Sequence, residues 1–283
     1  MLTQQQIAQY HGEGFTIYRG LIGAEALSLL LSDIEAVSAG NTLADHDRSR
    51  LEMEPHQEPG GTRVRRIYEP CTYYARFRAF SESEQLLECV EQLIGPDLLF
   101  HYSKINMKPP AIGSVVEWHQ DLAYYPLTNR DSVSILFYLD DATAANGCLK
   151  LMPRLHLGSL LNHTHNGFFQ GRVTEPVDES AAILLEGKAG DVIFMHCMTP
   201  HASTTNTSNR ARRTLILSYR AADAFPIYIG EKTVAAEDHA RLVRGRRRNV
   251  ARFSMQQFPI PQQQRETSSL YELQELSRHE TAT

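Results

Sequence analysis

The spacing of apolar residues changes character near residue 98. Before it, Leu27, Leu30, Leu31, Ile34 and Val37 recur at helical intervals and predict a helix over 24–37. Leu86, Leu87, Val90 and Leu93 do the same over 83–94, where Gly95-Pro96 stops the helix. Thr3 can cap a short helix over 4–10, and "GFTIYRG" reads as a strand bounded by glycines. From Leu98 onward the pattern becomes that of strands: "LLFHYSKINMK", "SVVEWH", "SVSILFYLDD", "GCLKLM", "AAILLEG", "GDVIFMH" and "RRTLILSYRA". Short strands separated by Gly, Pro and Asn turns predict an antiparallel sandwich or barrel. Helices do not alternate with them, which excludes a doubly wound α/β sheet. The expected class is mainly β with flanking helices, in one domain over 1–283.

Two stretches lack periodicity. Residues 40–70 are polar and rich in turn formers, and predict a long loop that is either a disordered connector or a functional lid. That loop belongs to a helical buttress expected over 1–97, with the strand core over 98–225 and an extension over 226–283. In the extension, "RLVRGRRRNVAR" reads as a solvated helix face, because the chain around it is acidic. The formal net charge of −5 gives no reason to expect nucleic acid or an anionic membrane as partner. No run of about 18 apolar residues suits a bilayer. Neither a secretory leader nor a CxxC pair is visible, so Cys71, Cys89, Cys148 and Cys197 are expected as reduced thiols in a cytoplasm. Cys197, although it lies between two histidines, is expected to pack as a small buried hydrophobe.

The candidate chemistry begins at "EWHQDLAYYP", residues 117–126. On a strand, residues i and i+2 share a face, so His119 and Asp121 can aim at one point. Such a triplet recurs by chance and needs a third ligand. The segment "GDVIFMHCMTPHASTTNTSNRARR" supplies two histidines. His196 ends an apolar strand and reads as structural; His201 opens another extended segment and reads as the ligand. Two imidazoles and one carboxylate make the facial set suited to Fe(II), with positions left open for a cosubstrate and O2. Arg212, eleven residues past His201, can hold the far carboxylate of a 2-oxo acid with its two-pronged donor. Ser203 shares a face with His201 and can add a hydroxyl. Trp118 points the other way and is expected in the core. Tyr124 and Tyr125 follow the ligands, and at least one is expected at the substrate site, with sheet packing as the alternative for each.

Taken in order, "INMKPP", "EWHQDLAYYP", "NGCLKLMPRLHLGSL" and "GDVIFMHCMTPHASTTNTSNRARR" resemble the phytanoyl-CoA dioxygenase family of Fe(II)/2-oxoglutarate-dependent oxygenases, over roughly residues 95–225. The resemblance implies a double-stranded β-helix with buttressing helices, metal ligands at His119, Asp121 and His201, and a 2-oxoglutarate arginine and serine at Arg212 and Ser203. It further implies that Gln120, Lys104 and Phe137 line the cosubstrate pocket, and that Arg65 or Arg66 supplies a basic residue that contacts the cosubstrate. One departure is Pro153-Arg154-Leu155-His156, where the family usually has Pro-Gly-Ser-His; a cation is expected to move towards the site mouth there.

These readings converge on a dioxygenase that hydroxylates a small organic molecule, using Fe(II), 2-oxoglutarate and O2 and releasing succinate and CO2. Desaturation, epimerisation or ring closure at the same iron, or a binding barrel without turnover, remain as alternatives. Halogenation fits least, because Asp121 occupies the position a halide would need. Arg63, Arg65, Arg66 and Arg154 tilt the expected substrate towards an anion. Neither its identity nor the oligomeric state can be read from the chain.

Overall fold

Thr3 and Gln6 close a reciprocal capping box: Gln6 N donates to Thr3 Oγ1 at 3.2 Å and Thr3 N donates to Gln6 Oε1 at 2.9 Å. This satisfies two of the amides that a helix start leaves free and begins α1 (Gln4–Glu13). The chain then forms β1 (Phe15–Tyr18), α2 (Ala24–Ser38), β2 (Leu51–Met53), β3 (Val64–Tyr68), α3 (Pro70–Tyr73), α4 (Ala75–Ser81) and α5 (Glu84–Ile94). Next come β4 (Leu98–Lys108), β5 (Val116–His119), β6 (Ser132–Tyr138), β7 (Leu149–Leu151), β8 (Thr164–His165), β9 (Phe168–Phe169) and β10 (Ile183–Leu185). The order closes with β11 (Val192–His196), β12 (His201–Ser203), β13 (Arg212–Ala221), β14 (Arg241–Arg244) and α6 (Leu270–Thr281). The computed structural model describes residues 1–112, 114–227, 237, 239–262 and 270–281.

Two antiparallel sheets face each other. The major one runs β1-β11-β6-β13-β4-β3-β2, with β14 also on β4, and the minor one runs β10-β7-β12-β5. The outer face of the major sheet carries Ile135, Phe137, Phe194, Leu215 and Leu217, packed against Leu30 and Ile34 of α2, Phe77 of α4 and Leu87 and Val90 of α5. The inner face presents Leu136, Tyr138, Ile193, Met195 and Ile216 to Leu149 and Leu151 of β7 and Leu185 of β10. β6 is therefore buried on both sides, and its residues 135–138 read as an apolar run without alternation.

Strand β4 owes its facing to a bulge. Its register with β13 shifts between Ser218↔Tyr102 and Tyr219↔Phe100, leaving His101 as the extra residue. Leu98 and Phe100 before the bulge and Ile105 and Met107 after it thus all reach the helix-side core. The alternate residues Lys104 and Asn106 turn inward to the space between the sheets.

Two expectations need correction. Residues 40–70 are not one loop: β3 pairs with β4 (Arg66↔Asn106, Ile67↔Ile105) and β2 pairs with β3. The buried arginines there are paired by carboxylates from the same segment, since Arg65 lies 3.3 Å from Glu52 and 3.4 Å from Glu54. A strand stabilised by ion pairs does not look like one in a hydrophobicity pattern. Likewise "RLVRGRRRNVAR" holds no helix. It contains β14, and its arginines pair with acids of the helical layer: Arg241 with Glu82 at 2.6 Å and Arg244 with Glu91 at 2.8 Å.

Candidate active site

His119 is the last residue of β5 and Asp121 opens a 3-10 turn, Asp121–Ala123. The turn, anchored by Leu122 N donating to Cys197 O at 3.1 Å, brings the carboxylate round beside the imidazole. His201 heads β12 directly opposite His119 in the ladder, with ring centroids 4.0 Å apart. Both Nε2 atoms lie 3.8 Å from Asp121 Oδ1, and the three ligand atoms sit within 4.8 Å of one another.

The orientation of each group is set by a neighbour. His119 Nδ1 lies 2.8 Å from Glu117 O and His201 Nδ1 lies 3.0 Å from Thr199 O. A carbonyl can only accept, so each Nδ1 carries the proton and each Nε2 keeps its lone pair for the centre. Ser134 Oγ donates to Asp121 Oδ2 at 2.5 Å and lies 3.1 Å from Ser218 Oγ, leaving Oδ1 to face the imidazoles. Burial, reinforced by the His201 ring, holds His119 well below its ordinary pKa, and burial lowers His201 as well. Both imidazoles are thereby neutral, the form a metal requires. Two histidines and one singly presented carboxylate fit an Fe(II) ion, and no thiolate shares the site.

The three groups stand in a cavity between the sheets, which Ser203, Arg212, Lys104, Asn106 and Arg66 also line. Arg212 heads β13 and is buried; Nη1 donates to Thr214 Oγ1 at 2.8 Å and Nη2 to Gly147 O at 2.6 Å. Its Nε is buried and has no hydrogen-bond partner among the described residues. Gly147 has φ 75°, and a Cβ there would meet Thr204 O at 2.4 Å, so only glycine lets this carbonyl reach the guanidinium. Lys104 makes neither a hydrogen bond nor an ion pair among the described residues; burial lowers its ammonium to about 8. Arg66 Nε donates to Asn106 Oδ1 at 3.0 Å.

A family model described as phytanoyl-CoA dioxygenase (PhyH) matches residues 10–214. The chain belongs to the phytanoyl-CoA dioxygenase family. A Stutzerimonas stutzeri protein named "Probable alpha-ketoglutarate-dependent hypophosphite dioxygenase" is 31% identical over 234 residues, spanning 80% of this chain and 81% of that one. The "Methylphosphonate hydroxylase" of Gimesia maris is 28% identical over 220 residues, spanning 78% and 81%. Among solved structures, EctD from S. alaskensis with bound Fe shares the fold with a TM-score of 0.71 at 20% identity, covering 87% of this chain and 88% of that one.

Not every residue that the phytanoyl-CoA dioxygenase resemblance assigned to the cavity is found there. Phe137 lies on the helix side of β6, its ring 5.1 Å from Phe80; its neighbours Ser134 and Leu136 face the cavity instead. Gln120 is turned away, its amide donating to Met198 O at 2.6 Å and accepting from Leu161 N at 2.7 Å. Arg154 does not approach the site mouth. It has φ 67°, is exposed, and pairs with Glu13 of α1 at 3.1 Å. Arg63 is exposed as well. Tyr124 packs edge-on to His119 at 5.4 Å with its hydroxyl on Gly171 O, while Tyr125 packs against His101 and Tyr102. Trp118, with Met152, Val173 and Ala202, forms a separate cluster on the outer face of the minor sheet. Cys197 is buried, and His196 sits among Tyr10 and His156, away from the three ligands.

Other contributors went unread in the sequence. Ser134, Thr214 and Asn106 each steady a functional group, and their inward parity on predicted strands was the available signal. No such signal marked α6, beyond the family match. Its Tyr271 stacks on Arg65 and Arg66, at 4.2 and 4.9 Å from the guanidinium carbons. Its Gln274 accepts from Glu117 N at 3.2 Å, on the strand that carries His119.

Proposed function

We propose that this chain is an Fe(II)- and 2-oxoglutarate-dependent dioxygenase that hydroxylates a compact small molecule, taking substrate–H, O2 and 2-oxoglutarate to substrate–OH, succinate and CO2. The observation that carries the reading is the convergence of His119 Nε2, His201 Nε2 and Asp121 Oδ1, with every outward atom of the three side chains already hydrogen-bonded. The metal and its cosubstrate supply O2 activation coupled to oxidative decarboxylation. His119, Asp121 and His201 hold the ion on one face, leaving the cavity side open.

Arg212 takes the far carboxylate of 2-oxoglutarate. Its two hydrogen bonds fix the guanidinium plane, and its free Nε–H remains as a donor. Ser203, whose hydroxyl opens on the same cavity, adds a second donor. Walls of Leu136, Leu149, Met195 and Ile216 exclude water around the reacting groups. The relatives named for hypophosphite and methylphosphonate support a compact substrate. The four cysteines are free and buried, in keeping with a reducing cytoplasm. Among the described residues no helix is long and apolar enough to cross a membrane.

Purified protein should bind one Fe(II) per chain and form succinate from 2-oxoglutarate only with that metal. His119→Ala, Asp121→Ala and His201→Ala should each lose metal by elemental analysis and lose turnover. Full metal content in His201→Ala, with loss in His196→Ala, would overturn the ligand set.

A further inference from the structure

Helix α6 bridges the two sheets. β5 is the outermost strand of the minor sheet, and β3, with only β2 beyond it, stands near the end of the major one. At β3, Tyr271 stacks on the Arg65 and Arg66 guanidinium groups. At β5, Arg278 pairs with the Glu117 carboxylate at 2.5 Å. In the loop after β9, Arg172 Nε donates to Ser277 Oγ at 2.7 Å. Tyr271, Gln274 and Ser277 recur every three residues, so they share one helix face, and all three are 5% exposed or less. The helix is therefore held at both sheets by the polar groups of a single face.

Gln274, at the centre of that face, makes contacts that fix which end of its amide is which. Its Oε1 accepts from Glu117 N at 3.2 Å, and its Nε2 donates to Gly171 O at 2.6 Å. Both contacts lead to His119. Glu117 O is the acceptor that orients the His119 ring, 2.8 Å from Nδ1. Gly171 O also accepts from the Tyr124 hydroxyl, and the Tyr124 ring stands edge-on to His119 at 5.4 Å. One side-chain amide thus steadies the two neighbours that set the His119 ring. His201 is anchored elsewhere: its Nδ1 donates to Thr199 O, and the Thr199 hydroxyl donates to Gly14 O at 2.8 Å.

We propose that Gln274 is a positioning residue for His119, and that the docking of α6 and the alignment of this one metal ligand are a single event. The inference rests on the ligand set proposed above and extends it to a helix beyond the family match. Linkage makes the coupling reciprocal: a docked α6 tightens metal binding, and a bound metal tightens the docking of α6. The helix that ties β3 to β5 thus also completes the site behind it.

The test uses full-length protein and Co(II), an air-stable probe of the iron position, titrated in competition with a chelator. Gln274→Met fills the same space and loses both hydrogen bonds; it should weaken Co(II) binding about tenfold. Tyr271→Leu loosens the same helix at β3 without touching Glu117 or Gly171, and should leave the affinity within about twofold. Proton NMR of the Co(II) protein should show one exchangeable, paramagnetically shifted imidazole N–H signal from each histidine. Gln274→Met should shift or broaden one of them and leave the other in place. Equal affinity losses in the two variants, or two signals that move together, would reduce Gln274 to a stability residue and overturn the proposal. In the wild type, Co(II) should slow hydrogen exchange of the 271–278 amides about fivefold or more. That measurement carries the test should Gln274→Met not fold, and exchange unchanged by the metal overturns the coupling. A wild-type protein that binds neither Co(II) nor Fe(II) brings down the ligand set itself, and this inference with it.

Discussion

Arg212→Ala tests the cosubstrate assignment most directly. The guanidinium is 5% exposed, and its position is set by Thr214 Oγ1 and Gly147 O. Removing one partner of a buried, charge-assisted pair costs about 2–5 kcal/mol, which corresponds to a rise of about 30- to 4000-fold in the 2-oxoglutarate KM. Part of any stability loss comes from a different source, the Gly147 carbonyl left unsatisfied, worth about 1–3 kcal/mol. The neighbouring residue provides the internal control. Arg213 faces outward and is clamped by Asp140, with Nε on Oδ2 at 2.9 Å and Nη2 on Oδ1 at 2.8 Å. Arg213→Ala should therefore leave the KM within about twofold and lower stability by about 1 kcal/mol, as for a partly exposed pair. Initial rates of succinate formation across a 2-oxoglutarate series, with chemical denaturation of each variant, separate the two effects. A larger KM change in Arg213→Ala than in Arg212→Ala would show that the inward face of β13 has been misassigned by one residue.

Ser134→Ala removes the hydrogen bond on Asp121 Oδ2 and should weaken Fe(II) binding about 10- to 100-fold, read by competition with a chelator. Ser218→Ala, one hydrogen bond further out, should do less; equal effects would refute the chain of orientation. Arg154→Gly relieves a left-handed φ of 67° at the cost of an exposed pair with Glu13. It should raise stability by up to about 1 kcal/mol with kcat/KM unchanged, and a marked KM shift would place Arg154 back at the site. Burial holds His101 and His196 at about 3 and His163 at about 4, so these rings stay neutral in the fold and protonate on unfolding below about 6.5. Stability of the metal-free protein is full above that pH and falls as pH drops towards 4. Burial also raises Glu69 to about 7, which opposes one of the three. His119 and His201, lowered by burial as well, add to the loss in the metal-free protein, so denaturation midpoints should fall between pH 7 and 5, and flat midpoints would contradict it.

The sequence carried whatever depends on near neighbours. The capping box at Thr3 is a contact over three residues, the helices at 24 and 84 follow a single apolar stripe, and β4 and β13 were bounded by their own residue types to the position. The convergence of His119, Asp121 and His201 was legible because their types and spacing are unusual together. Facing was another matter. In β6 every residue is buried, so alternation vanishes and nothing local separates Leu136, on the cavity, from Phe137, under the helices. Gln120 sits between two ligands, yet Met198 O and Leu161 N draw it away. β3 depended on carboxylates at Glu52 and Glu54 to bury its arginines. Only the tertiary structure could bring α6, about 200 residues on, across Arg65 and Arg66. Helical and strand periods are properties of a few consecutive residues. The burial of a charge is decided by the partners that strand pairing and chain closure bring to it, and residue type alone does not name them.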